Sequence, residues 1–286
     1  MPRLERRPMT DAVRAALVGC LQNVRYELLP LGDALVQSSH LPEGAEVAVT
    51  ADPELGMKPT IDLSVELSGR GFDVIPHLGA QLIRDRVELG THLERLGDAA
   101  IDRALVVGGV ASPPGEYFDA MALIHAIEAV GNPLREIGIG GYPEGHHVIQ
   151  DGPLGLSLLE KAPHAHWITT QICFDVGRTA EWIGDQRARG VDLPIWLGIP
   201  GVADVTGLMS LGLRVGAGRS LQFMFEHPRL VARVLTPGGR KASNLVRAVG
   251  DLASDETLGI AGFHLFTYNQ VAKAERWRRG LLSRLA

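Results

Sequence analysis

Short apolar runs rich in Val and Ile recur along this chain at intervals of about 20 to 35 residues, with helix-like segments between them, which is how repeated βα units read in sequence. The eight runs cover 25–28, 46–50, 73–77, 104–108, 136–141, 167–171, 194–198 and 259–265. Eight parallel strands close a barrel, so the expected fold is a single-domain (β/α)8 TIM barrel over residues 1–286, with an N-terminal helical lead-in and a C-terminal helix. Periodicity does not show closure, and an open doubly wound sheet satisfies the same pattern.

The intervening pieces 60–70, 86–98, 117–130, 154–161 and 179–189 carry apolar residues at spacings of three and four, the mark of amphipathic helices. Gly71, Gly131 and Gly190 then stop three of them, because glycine accepts a left-handed backbone just past a helix end without a Cβ clash. The last crossover, 199–258, is about twice the usual length. It reads as two or three helices broken at 216–218 and 236–239. No stretch is long and polar enough for a domain linker.

With 45% hydrophobic and 21% charged residues, 286 residues bury a large core. The net charge of -5 argues against nucleic acid as the main partner, since neutralising phosphates requires a basic face. Cys20 and Cys173 are too few for a disulfide framework and lack zinc-site spacing, which makes a reducing, cytoplasmic setting the expectation. The basic opening runs into Asp11 and a mixed helix rather than an apolar signal core. No segment approaches the roughly 18 apolar residues a membrane span needs.

In a barrel, chemistry gathers where strands end and βα loops begin. Glu27, Thr50, His77, Tyr142 with Glu144 and His146, Gln171 and His264 all fall at such places. Glu27 lies among apolar neighbours in Tyr26-Glu27-Leu28-Leu29-Pro30, where a carboxylate must be paired, solvated or shifted toward its protonated form. Thr50 and His77, each taken alone, also read as residues that satisfy loop backbone.

No metal site is expected. His146 and His147 are adjacent and point opposite ways on an extended segment, and His164 and His166 precede a strand instead of following one. Lys58, Lys161, Lys241 and Lys273 all lie outside the expected strands, which disfavours Schiff-base chemistry. Gly108-Gly109 would let a flat ligand approach the backbone but lacks the rest of a dinucleotide fingerprint. The stretch 238–243 resembles a phosphate loop only superficially, since it follows no strand, and reads as a helix entry.

Two motifs together, Gly141-Tyr142-Pro143-Glu144-Gly145-His146 and Ile168-Thr169-Thr170-Gln171-Ile172-Cys173-Phe174-Asp175, resemble the methylenetetrahydrofolate reductase family. Tyr26 to Pro30, Val49-Thr50, His77-Leu78 and Gly262 to Asn269 extend the likeness across nearly the whole barrel. The resemblance implies reduction of 5,10-methylenetetrahydrofolate to 5-methyltetrahydrofolate in one-carbon metabolism, with NADH or NADPH as hydride donor, ordinarily through bound FAD. It implies Glu27 as the acid that assists ring opening and Gln171 as a contact to folate and nicotinamide. It further places Thr50, Tyr142 and His264 at substrate, and His77, Gly108, Gly109, His146 and Lys161 at cofactor.

The chain departs from that pattern in three places. After the fourth strand the family usually carries Leu-Arg-Gly-Asp, where this sequence reads Val107-Gly108-Gly109-Val110. The helix before Lys161 shows Leu154, Ser157 and Glu160 where a basic, polar pattern for the FAD diphosphate is expected, and a carboxylate there repels a diphosphate. Gln270 replaces an arginine that would meet the folate tail.

These losses resemble a short, flavin-lacking branch and point to direct hydride transfer. An FAD enzyme with a rearranged site and a folate-binding barrel without turnover are the alternatives. The apolar stripe Trp277, Leu281 and Leu285 on the terminal helix reads as packing on the barrel or as the interface of a homo-oligomer.

Overall fold

A computed structural model describes residues 9–109, 111–131, 134–146, 151–202 and 240–286. The strands β1 (Val24–Leu28), β2 (Glu46–Val49), β3 (Asp73–Gly79), β4 (Arg103–Val107), β5 (Glu136–Gly141), β6 (Trp167–Ile172), β7 (Ile195–Pro200) and β8 (Ile260–Phe266) form a closed barrel in sequence order. Every neighbouring pair is parallel, and β8 returns to β1 with Arg25 opposite His264. The barrel is closed, which excludes the open doubly wound sheet.

Helices α1 (Asp11–Gln22), α2 (Ala34–Ser38), α3 (Lys58–Gly69), α4 (Arg86–Asp98), α5 (Ala120–Ala129), α6 (Asp151–Lys161), α7 (Val176–Ala188), α8 (Arg240–Ala248), α9 (Gly250–Ser254) and α10 (Val271–Leu285) accompany the strands. Four starts differ from expectation: α3 begins two residues early and α6 three, and in α5 and α7 an aspartate claims the cap. Asp119 accepts the Ala122 N–H and delays α5 to Ala120, while Asp175 accepts the Arg178 N–H and starts α7 three residues early. Such caps stabilise a helix by about 1 kcal/mol. Gly71, Gly131 and Gly190 all carry the positive φ that the turns require. The expected breaks at 216–218 and 236–239 lie outside the described residues.

Alternation along the strands sorts the side chains into two cores. Outward residues such as Leu28, Val47, Val106, Ile139 and Leu197 join the helices in one continuous apolar shell. Inward, Ile75, Leu105 and Trp167 form a separate cluster with Val107 and Trp196. The Trp167 indole fits because β5 carries Gly138 beside it; a Cβ there would sit 2.1 Å from the ring.

Below the tryptophans, the amino-terminal end of the barrel is closed by charge. Arg25 Nε lies 2.7 Å from Glu46 Oε2, and Arg103 joins Glu46 at 2.9 Å and also pairs with Asp73. The Arg25 guanidinium lies 3.4 Å from the ring centroid of Trp196 and 4.6 Å from that of Trp167, so its charge is met by both carboxylate and π-face. Burial alone would raise the Glu46 pKa, but Arg25 and Arg103 outweigh it and hold the carboxylate ionised.

The terminal helix packs on the barrel. Trp277, Leu281 and Leu285 are buried in the outer shell, Arg278 donates to the Leu21 carbonyl, and buried Glu275 accepts from Tyr26 on β1 at 2.7 Å. Among the described residues, no helix is long and apolar enough to cross a membrane.

Candidate active site

Parity that sends Arg25 inward at the base of β1 sends Glu27 inward near its top, into a pocket walled by β3 and β8. Glu27 Oε2 lies 3.1 Å from His264 Nε2, and the His264 ring stacks on that of His77 with centroids 5.9 Å apart. Phe266 covers the other side of His264 edge-on at 5.0 Å. The Glu27 side chain is 12% exposed and that of His264 is 1% exposed.

This burial sets the charge states. Desolvation pushes the Glu27 carboxyl up to about 7, with His77 pulling weakly the other way. Burial pushes His77 down to about 4, opposed by Glu27, and His264 down to about 3, with Arg25 adding to the fall. The 3.1 Å contact has the length of an ion pair, but burial favours the neutral form of both partners, which makes it a carboxyl group hydrogen-bonded to an imidazole nitrogen. A neutral acid against a neutral imidazole is an arrangement that can give up a proton near pH 7. The same three residues bring donor atoms within 4.8 Å of one another, so this pocket is also one of two places where described side chains could hold a metal ion.

The loop after β8 is strained around this acid. Tyr268 and Asn269 both have φ of 53°, a left-handed conformation costly for non-glycine residues. Three hydrogen bonds hold it: Asn269 accepts the Leu29 N–H and donates to the Leu29 and Leu31 carbonyls. Thr267 adds a bond to the Glu27 carbonyl. The Tyr268 hydroxyl is pushed up by burial and by Glu27, which places this phenol in the field of the acid. Tyr268 was not singled out from the sequence, although the motif ending at Asn269 contains it.

Thr50 follows β2 beside the acid, its N–H donating to the Leu28 carbonyl and its own carbonyl accepting from Thr60. Gln171 is exposed at the top of β6, its Oε1 accepting the Ile172 N–H so that the amide nitrogen stays available. Gly108 has open space where a Cβ would project, whereas Gly109 has a positive φ and a Cβ there would sit 3.4 Å from the Gly79 Cα. Glu144 accepts the N–H groups of Phe174 and Asp175, clamping the β5 loop to the start of α7 and tying the two sequence motifs together.

Tyr142, His146 and Lys161 gather elsewhere. Tyr142 meets the His146 ring edge-on at 4.9 Å. With Lys161, Arg178, Trp182 and Arg189, Tyr142 lines a cavity of about 220 Å³ between α6 and α7. Lys161 is 9% exposed and its pKa is lowered by burial, against the pull of Asp119 and Glu160.

A model of the methylenetetrahydrofolate reductase family matches residues 57–221, more than half of the sequence. The chain belongs to the methylenetetrahydrofolate reductase family. Methylenetetrahydrofolate reductase 2 of Saccharomyces cerevisiae is 38% identical over 96 residues, which is 32% of this chain and 16% of the yeast protein. The chain therefore matches about a sixth of that relative's length. Among solved structures, a Clostridium thermocellum protein described as binding two copies of 5-methyl-5,6,7,8-tetrahydrofolic acid superposes with a TM-score of 0.60. It covers 91% of this chain and 95% of its own at 11% identity, a likeness of fold.

Proposed function

We propose that this member of the family reduces 5,10-methylenetetrahydrofolate to 5-methyltetrahydrofolate with Glu27 as the acid. The observation that carries this reading is the Glu27 carboxyl at the carboxyl end of β1, 3.1 Å from His264 Nε2 and pushed up to about 7 by burial. Glu27 delivers that proton near N10 as the five-membered ring opens, and the resulting N5 iminium accepts hydride on the one-carbon unit. Gln171 offers its amide N–H to a planar ring edge, and Thr50, whose N–H donates to the Leu28 carbonyl next to Glu27, contacts the substrate. The folate described for the Clostridium thermocellum protein supports a folate in a barrel of this shape.

Reduced nicotinamide supplies the hydride directly in this reading. The open backbone at Gly108 leaves room for a flat ring, and no charged side chain stands at Gly108 or Gly109 to bind a flavin diphosphate. Lys161 in the α6–α7 cavity is the cation best covered for a phosphate of the dinucleotide.

The deciding assay follows NADH loss anaerobically with 5,10-methylenetetrahydrofolate and flavin-free protein, then repeats it with FAD. Turnover without flavin is expected. Turnover only after FAD addition would overturn direct transfer, and none in either case would overturn the reductase reading in favour of a folate-binding barrel.

A further inference from the structure

We propose that His125, Glu128 and His164 form a binding site for a divalent transition-metal cation of the Zn2+ type at the amino-terminal face of the barrel, opposite Glu27. His125 and Glu128 are three residues apart on α5 and so project from one helical face. His164 ends the 3-10 turn Ala162–His164 that joins α6 to β6, which brings it to the same place from the other side. Its Nδ1 lies 2.8 Å from Glu128 Oε1, and its ring meets that of His125 edge-on at 5.5 Å. One donor atom from each residue falls within 4.8 Å of the others.

Two imidazoles and a carboxylate are the donor set of a three-ligand zinc site, with water completing the tetrahedron. Bonds of roughly 2.0–2.2 Å about a tetrahedral ion hold donors about 3.3–3.6 Å apart, so the 2.8 Å Glu128–His164 contact opens slightly and His125 closes on it. His125 and Glu128 are exposed, so rotation of their side chains meets that demand without moving backbone. Imidazole nitrogen favours Zn2+, Ni2+ or Cu2+ and disfavours Mg2+ and Ca2+. The neighbouring His166 is otherwise engaged, its Nδ1 accepting the Ile137 N–H at 3.1 Å. A bound cation would staple α5 to the turn three residues beyond Lys161.

The test is calorimetric titration of the full chain, stripped of metal by a chelator, with ZnCl2. The expected result is saturable binding that weakens by more than roughly tenfold in His164→Ala and in His125→Ala. Because Glu27, His77 and His264 form the other donor cluster, His77→Ala is the control and should leave this binding unchanged. Absence of saturable binding up to about 1 mM overturns the site. So does affinity untouched by both surface substitutions, or lost only in His77→Ala. Cobalt absorbance in the visible provides a second readout: a tetrahedral spectrum that disappears in His164→Ala supports the assignment, and one that persists there refutes it.

Discussion

Glu27 and His264, 237 residues apart in sequence, meet at 3.1 Å because β8 closes the barrel against β1. The contact gives the acid a resting partner for its proton without fixing a charge. Glu27→Gln keeps the shape of the side chain and removes the titrating proton. Reduction of the folate should fall by at least about 100-fold, while folate affinity stays within a few-fold. Turnover at the parental rate would remove Glu27 from the chemistry.

Rate should also track the protonated form. With the carboxyl at about 7, turnover limited by proton delivery declines as pH rises above that value, by about tenfold per pH unit once well past it. A rate profile flat from pH 6 to 9 would show that some other group supplies the proton.

Stability has its own pH signature. The folded acid keeps a proton that the unfolded chain releases above its ordinary value of 4.5, so the contribution of Glu27 is present below that pH and lost as pH rises through about 7. His77 and His264 act oppositely, since the unfolded chain protonates below 6.5 while the buried rings resist to about 4 and about 3; their contribution is lost as pH falls. Glu27→Gln deletes only the first effect. Its melting temperature relative to the parent should therefore climb between pH 5 and pH 8, and a constant difference counts against the buried-acid assignment.

Gln171→Leu tests the exposed amide at the top of β6. Losing its hydrogen bonds to ligand should weaken folate or nucleotide binding by about tenfold with little change in melting temperature. Unchanged affinity and rate would exclude Gln171 from the site.

Gly138→Ala tests the interior. A methyl 2.1 Å from the Trp167 indole forces that ring out of place, and overpacking of this kind costs about 1–3 kcal/mol or more. The urea midpoint should fall accordingly, and a midpoint equal to that of the parent would show that the indole has another position to occupy.

Strands and most helices were legible in sequence because a period of two and a period of 3.6 are written locally; α4 and α10 begin and end where the pattern does. The strand ends that carry Glu27, His77 and His264 were legible for the same reason. What their side chains do to one another was not, since the contacts depend on closure and register, which no local window contains. Arg25 between Trp167 and Trp196 joins three strands, and nothing in Val24 to Leu28 announces it. Lys161 read from sequence as a companion of the strand-end residues, and it lines the α6–α7 cavity with one of them, Tyr142. His164 looked idle because its neighbours in space, His125 and Glu128, sit on the preceding βα unit.

The plug of Arg25, Glu46, Arg103 and the two indoles has a kinetic corollary. Among the described residues it fills the amino-terminal end of the barrel, so a ligand reaches Glu27 from the carboxyl end. Two ligands that meet above this acid therefore share one face of the barrel, and whether the first must leave before the second enters is read from the product-inhibition pattern.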